Sequence, residues 1–179
     1  MQIPTHIAAG YIVSKVLVNN LPETDISLIT KFAVFGSLAP DVDGLFGKQV
    51  KDHRKTPFHA PLVWLLFLLI TSLVAFFAGA RQTLVFILAF SLGALSHLFL
   101  DWFSGRTTGI RIFYPFSKKQ YSLFPIEPEK GAFSIFPIRK NLNKYLEFER
   151  YCLKNKFLVL AEIIIILTAV LFWLRVWRL

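Results

Sequence analysis

Three long apolar segments constrain this chain more than any other feature of its sequence. Residues 60–79 carry no charge, residues 82–100 have His97 as their only ionisable group, and residues 157–174 are interrupted only by Glu162. A helix of roughly 20 residues is about 30 Å long, which is the thickness of the hydrocarbon layer of a bilayer. Helices of a soluble core keep a polar face, and these segments have none. The sequence therefore predicts an integral membrane protein with three full transmembrane helices.

Two shorter apolar segments precede the long ones, at residues 3–18 and 26–39. Neither is long enough to span a bilayer alone, so we expect a helical hairpin packed against the longer helices, with Asp25 as the N-cap of the second helix. The predicted fold is an all-α, polytopic membrane helical bundle formed by a single domain over residues 1–179.

The net charge of +9 is concentrated between the apolar segments. Residues 44–59 hold four Lys or Arg, and residues 104–156 hold eleven. An antiparallel pair of helices at 60–79 and 82–100 places both segments on one side, which the positive-inside rule assigns to the cytoplasm. We expect a bacterial or archaeal cytoplasmic membrane. No basic region follows Met1, so we expect no cleaved signal peptide.

The segment 104–156 combines its basic residues with many aromatic ones, and we interpret it as a cytoplasmic loop. Aromatic side chains stacked with bases and Lys or Arg paired with phosphates would fit nucleic acid. Interfacial anchoring on anionic or phosphorylated lipids explains the same composition more simply. We therefore expect membrane lipids and no nucleic acid as partners, and the sequence gives no indication of oligomeric state.

All four histidines stand in polar clusters beside apolar segments. The clusters are THIAAG with His6, PDVDG with Asp41 and Asp43, DHRKTPFH with His53 and His59, and SHLFLD with His97 and Asp101. Because the helices run back and forth, positions 41, 59 and 97 fall at one membrane face, and residue 6 joins them if the first two helices form a hairpin. The sequence thus predicts that four distant clusters converge.

Imidazole and carboxylate groups together are ligands of zinc, manganese or iron. His97 and Asp101 are four residues apart and emerge from one helical face. The candidate ligands are His6, Asp41, Asp43, His53, His59, His97 and Asp101, of which Asp41, His97 and Asp101 are also the candidate catalytic residues. Whether His53 or His59 ligates stays open, as does the role of Glu162. Arg54, Lys55 or Arg106 could hold a substrate phosphate.

The motifs THIAAGY, GSLAPDVDG, HRKTPFHA and SHLFLDWFSGRTTGIRIFYPFS resemble those of the YdjM-like family of membrane-bound metal-dependent hydrolases. That family is in turn distantly similar to the zinc-dependent phospholipase C and P1 nuclease group, which is all-α and cleaves phosphate esters. The resemblance implies ligand roles for His6, for Asp41 or Asp43, for His53 or His59, and for the HxxxD pair His97 and Asp101. No histidine follows His97, which implies one or two ions, with zinc as the first choice.

The leading hypothesis is a metal-dependent hydrolase that cleaves a phosphoester of a lipid or lipid-linked substrate at the membrane surface. A non-enzymatic membrane protein, in which a metal or polar network ties helix ends together, is the main alternative. A transporter using Glu162 and His97 is less well supported, because residues 60–79 offer almost no polar group across the bilayer.

Overall fold

The computed structural model describes residues 1–20, 25–45, 50–105, 108–124, 128–134 and 138–176. Within these ranges the chain forms six α-helices and no strand, so the all-α prediction is confirmed. The helices are α1 Ile3–Asn20, α2 Ile26–Leu38, α3 Pro61–Phe77, α4 Arg81–Ser104, α5 Ile138–Leu153 and α6 Lys156–Val176. Three short 3-10 helices connect α2 to α3, at Ala39–Leu45, Val50–Lys55 and Pro57–His59.

Helices α1 and α2 form the expected hairpin, and both pack against α4. Asp25 caps α2 as predicted, since its Oδ1 accepts hydrogen bonds from the backbone N–H groups of Ser27 and Leu28. The buried contact between α2 and α4 is formed by Ile29, Ala33 and Ala89, all fully buried. The hairpin is therefore an integral layer of the bundle.

Small residues allow α2 and α4 to approach closely. A Cβ atom added at Gly36 would collide with the carbonyl of Phe90, and one added at Gly93 would collide with the carbonyl of Ala33. Glycine is thus required at both positions by space. Close backbone contact at small residues is typical of helix packing in membranes, where apolar burial gives little driving force.

The prediction of three full spans is wrong, because only two of the described helices qualify as candidate membrane spans. These are α4 and α6. Helix α3 has 17 residues and is only about 25 Å long at 1.5 Å per residue. Ala60 is extended and Pro61 begins the helix, while Gly79 adopts a φ of 69° just beyond its end. Counting apolar residues from 60 to 79 therefore overestimated the helix.

The basic segment 104–156 is more structured than a loop, because it contains α5. Phe148 and Cys152 of this helix pack against Phe133 and against Leu158 of α6. The chain between Gly109 and Phe124 folds back on α4, with an antiparallel bridge between Ile110 and Tyr121. Phe103, near the end of α4 that carries Asp101, packs on the cluster of Phe148 and Cys152, so α5 lies next to that end of α4.

Candidate metal centre

Four side chains from three parts of the chain meet at one point. Asp41 comes from the 3-10 helix after α2, His59 from the last one before α3, and His97 and Asp101 lie one turn apart on α4. Each offers one ligand atom, and these atoms all lie within 4.8 Å of one another. His59, His97 and Asp101 are completely buried, whereas the Asp41 side chain is 32% exposed. The predicted convergence of the polar clusters is therefore present in the fold.

The spacing of the four atoms fits a metal ion. His59 Nε2 lies 3.5 Å from Asp41 Oδ1 and 3.6 Å from Asp101 Oδ2. His97 Nε2 lies 3.4 Å from each of the same two oxygens. Tetrahedral zinc with bonds of about 2.1 Å separates its ligand atoms by about 3.4 Å. His59 Nε2, His97 Nε2 and Asp101 Oδ2 are buried without a hydrogen-bond partner, and burying such atoms is costly unless something binds them.

The other ring nitrogens of both histidines are occupied, which directs each Nε2 to the centre. His97 Nδ1 lies 2.7 Å from the backbone carbonyl oxygen of Ser37. His59 Nδ1 lies 3.0 Å from Asp43 Oδ2, which also accepts a hydrogen bond from the Thr56 hydroxyl. Partners of this kind fix the tautomer and the orientation of metal-binding histidines. In this structure Asp43 is therefore placed to orient His59, although the sequence made it a candidate ligand.

Asp101 is fixed in the same way through its second oxygen. Arg54 Nη2 donates to Asp101 Oδ1 over 2.8 Å, and the backbone nitrogen of Met1 lies at the same distance from this oxygen. Arg54 is itself almost fully buried and reaches the carbonyl of Thr108 with its Nη1. The sequence proposed Arg54 for substrate phosphate, but its contact here is with a candidate ligand.

The two remaining histidines flank the four-residue group. His6 Nε2 is 3.5 Å from Asp101 Oδ1, and its ring stacks on that of His97 with centroids 3.7 Å apart. His53 Nε2 is 3.6 Å from Asp41 Oδ1, and its side chain is 15% exposed. His59 belongs to the four-residue group and His53 does not. The structure thus separates these two histidines, which the sequence alone could not do.

The charges at the centre favour a cation. Burial opposes ionisation of Asp41, yet the adjacent imidazoles of His97 and His59 hold the Asp41 pKa well below its usual range. Burial likewise lowers the pKa of His59, but the nearby carboxylates of Asp101 and Asp41 and the hydrogen bond with Asp43 raise it to about 10. Three carboxylates surrounding His59 thus retain a proton on it in the absence of metal. A divalent cation could take the place of this proton and balance the negative charge of the same three carboxylates.

A pocket of about 410 Å³ opens on the centre. It is bounded by the start of α1, by the 3-10 helices and by α5, with the lining residues Met1, Gln2, Ile3, Pro4, Asp41, His53, Arg54, Tyr145, Phe148 and Glu149. The sequence analysis missed the wall formed by α5. The apolar spacing of Leu142, Tyr145 and Leu146 is helical and could have revealed it.

Two further candidates, Lys55 and Glu162, do not belong to the four-residue group. Lys55 is half-buried in the second 3-10 helix, and Arg106 lies outside the described residues. Glu162 on α6 is buried and accepts a hydrogen bond from the backbone N–H of Gln2 over 3.0 Å. It thus lies next to the start of α1, and the side chain of Gln2, which precedes α1, also donates to Glu149 on α5.

Apolar helices long enough to cross a bilayer, around a buried His–Asp group, define a helical membrane protein with a candidate metal centre. The family model of the YdjM inner membrane proteins matches residues 1–178. The chain therefore belongs to the YdjM inner membrane protein family, as its motifs indicated. No curated protein and no solved structure matches it significantly.

Proposed function

We propose that this chain is a metal-dependent hydrolase that cleaves a phosphoester bond of a lipid or lipid-linked substrate at the membrane surface. The observation that carries the proposal is the position of Asp41, which belongs both to the metal-binding group and to the wall of the pocket. The other three candidate ligands are fully buried. A substrate in the pocket would therefore approach the metal from the Asp41 side.

Some residues of the centre would hold the metal, and others would contact the substrate. A divalent ion held by Asp41, His59, His97 and Asp101 would lower the pKa of a water molecule and polarise a phosphoryl oxygen. Ser37 and Asp43 keep the two imidazoles aimed at the centre. His53 lies at the rim of the pocket, where it can hydrogen-bond a substrate oxygen. Zinc is the first candidate for the ion, with manganese or iron as alternatives.

The resemblance to the zinc-dependent phospholipase C and P1 nuclease group supports phosphoester chemistry. Membrane position supports a lipid substrate, because Arg54, which lines the pocket, contacts Asp101 in the last turn of the candidate span α4. Lys55 and Arg106 remain candidates for binding the phosphate. Arg54 is assigned first to positioning Asp101, since its Nη2 already donates to that carboxylate.

One observation favours the non-enzymatic alternative. Four protein ligands complete a tetrahedral shell, which is typical of structural zinc, whereas catalytic zinc keeps a position for water. In that case the ion would serve only to tie the turn after α2, the turn before α3 and helix α4 together.

The deciding experiment compares wild type, His97→Gln and Asp101→Asn after purification without a histidine tag and reconstitution with zinc. We expect wild type to bind at least one equivalent of zinc by elemental analysis and to release phosphate or a phosphorylated headgroup from a panel of phospholipids and prenyl phosphates. Each variant should lose both, because each removes one ligand of the shell. Ser96→Ala, which alters the neighbouring residue on α4, is the control and should retain both.

Melting temperatures measured in parallel separate the two hypotheses. The hydrolase hypothesis predicts folded variants without activity. The hydrolase proposal is wrong if wild-type protein binds zinc but cleaves no member of the panel, while both variants lose most of the wild-type thermal stability. That result would support the structural role.

A further inference from the structure

An apolar groove lies next to the site pocket, between α1 and α6. Its volume is about 260 Å³, and Ile7, Ala8 and Tyr11 form one wall while Ile166, Ala169 and Val170 form the other. Pro4 lines both this groove and the pocket of the candidate metal centre. The two cavities are therefore neighbours, with Pro4 at the start of α1 bordering both.

The groove follows the long axes of its helices. From Pro4 to Tyr11 on α1, and from Ile166 to Trp173 on α6, its lining covers about 10 Å of helix at 1.5 Å per residue. Ala8 is buried and Ala169 half-buried, so each wall includes a small side chain, and Val34 of α2 also lines the groove. Helix α6 is one of the two candidate membrane spans. The groove therefore starts beside the polar pocket and runs along a helix suited to the hydrocarbon layer.

We propose that this groove binds the hydrocarbon chain of the lipid whose phosphate group enters the site pocket. The inference rests on the proposed function and narrows its substrate to an amphiphile with a linear chain. A pocket bordered by Asp41, His53 and Arg54, next to an apolar groove, matches a phosphate headgroup followed by an alkyl chain.

A photolabelling experiment tests the binding of the chain without requiring catalysis. The probe is hexadecyl phosphate carrying a diazirine in the middle of its chain, added to the zinc-reconstituted full chain in nanodiscs. We expect crosslinks in the peptides that contain residues 4–11 and 166–173, and competition by unlabelled hexadecyl phosphate. Labelling spread evenly around α3 and α6 would overturn the proposal.

A pair of variants on α6 sharpens the result. Ala169→Phe fills part of the groove, whereas Leu167→Trp adds similar bulk at a position that is 55% exposed and does not line it. Labelling should fall about tenfold in the first, as expected when roughly two methylene groups lose their buried position, and stay unchanged in the second. Val170→Trp, on the same wall, should repeat the loss if Ala169→Phe does not fold. Equal labelling of wild type and a folded groove variant contradicts the proposal.

Hydrolysis separates failure of the groove from failure of the proposed function. The substrates are the p-nitrophenyl esters of hexadecyl phosphate and of methyl phosphate, from which water displaces p-nitrophenolate at phosphorus. Ala169→Phe should raise KM for the long-chain ester only. Cleavage of both esters with no change in either KM rejects the groove and keeps the hydrolase. Groove-specific labelling without cleavage of any ester keeps the groove and rejects the hydrolase.

Discussion

At the scale of single residues, the centre shows how two aspartates in one short motif acquire different roles. Asp41 and Asp43 both follow Pro40, in a 3-10 helix where side chains two positions apart diverge. Asp41 is directed to the point shared with His97 and Asp101, and Asp43 to the far nitrogen of His59. The candidate ligand Asp41 and the residue that orients His59 therefore come from the same turn.

The substitution Asp43→Asn tests this division of roles. It keeps the size of the side chain but removes the charge that holds the His59 ring, so we expect zinc affinity to fall about 10- to 100-fold while the stoichiometry stays the same. Competition titration with a zinc chelator measures the effect. Asp41→Asn should instead lower the number of ions bound. Identical losses in the two variants would contradict the separate roles.

Metal binding should depend on pH through His59. Its pKa of about 10 in the metal-free protein means that the imidazole is protonated at neutral pH, and a zinc ion must displace this proton to use Nε2. We therefore expect zinc uptake at pH 7 to release about one proton for this residue, and the apparent affinity to increase as pH increases from 6 to 9. Calorimetry in buffers of different ionisation enthalpy measures the release. Affinity that does not change over this range would refute the charge state.

At this scale the sequence predicted that the polar clusters converge, but it could not predict the geometry that depends on tertiary packing. Alternating helix direction was enough to bring His6, Asp41, His59 and His97 to one face. It could not choose between His53 and His59, because both stand in 3-10 helices whose orientation depends on how they pack on the first 3-10 helix and on each other. The carbonyl of Ser37, which orients His97, leaves no signature in a sequence because it is a backbone group.

At the scale of elements, the contact between α2 and α4 positions the centre. Gly36, which lies against the Phe90 carbonyl, is followed directly by Ser37, whose backbone carbonyl contacts His97 Nδ1. The close contact between α2 and α4 is therefore next to the group that orients His97. Gly36→Ala should push the helices apart, lower stability by about 1–3 kcal/mol as overpacking usually does, and weaken zinc binding. Thermal melts and zinc titration in the same detergent provide the measurement.

A matched glycine variant controls for the added methyl group. A Cβ atom at Gly44 would meet its nearest neighbour, the His53 Cβ, only at 4.0 Å. Gly44→Ala should therefore leave both the melting temperature and the zinc affinity close to those of wild type. A comparable loss in both variants would show that close packing at Gly36 is not the cause.

The errors of the sequence analysis were also errors about elements. The length of α3 was overestimated because the apolar segment runs from 60 to 79, whereas the helix begins at Pro61 and ends before Gly79. Helix α5 was read as part of a loop because its charged residues obscured an apolar face that includes Leu142 and Leu146. The length of α3 was judged from hydropathy alone and α5 from its charged residues alone. Neither judgement included the residues that end or cover the helix.

At the scale of the whole molecule, the side of the membrane that the centre faces is still a prediction. Asn20 ends α1 at the far end of the first hairpin, and Ser117 lies in the segment that folds back after α4. In a Cys152→Ala background, Asn20→Cys and Ser117→Cys should react with a membrane-impermeant thiol reagent from opposite sides, Ser117→Cys from the cytoplasm. Labelling of both from one side would refute the predicted topology.

The hydrogen bonds of Gln2 to Glu149 and Glu162 have a consequence for biosynthesis. All four residues of the metal-binding group lie between positions 41 and 101, whereas both partners of Gln2 are added by the ribosome later. A nascent chain that has inserted α1 to α4 therefore already carries all four candidate metal ligands. The wall provided by α5, and the bond of Glu162 to the backbone of Gln2, can form only afterwards.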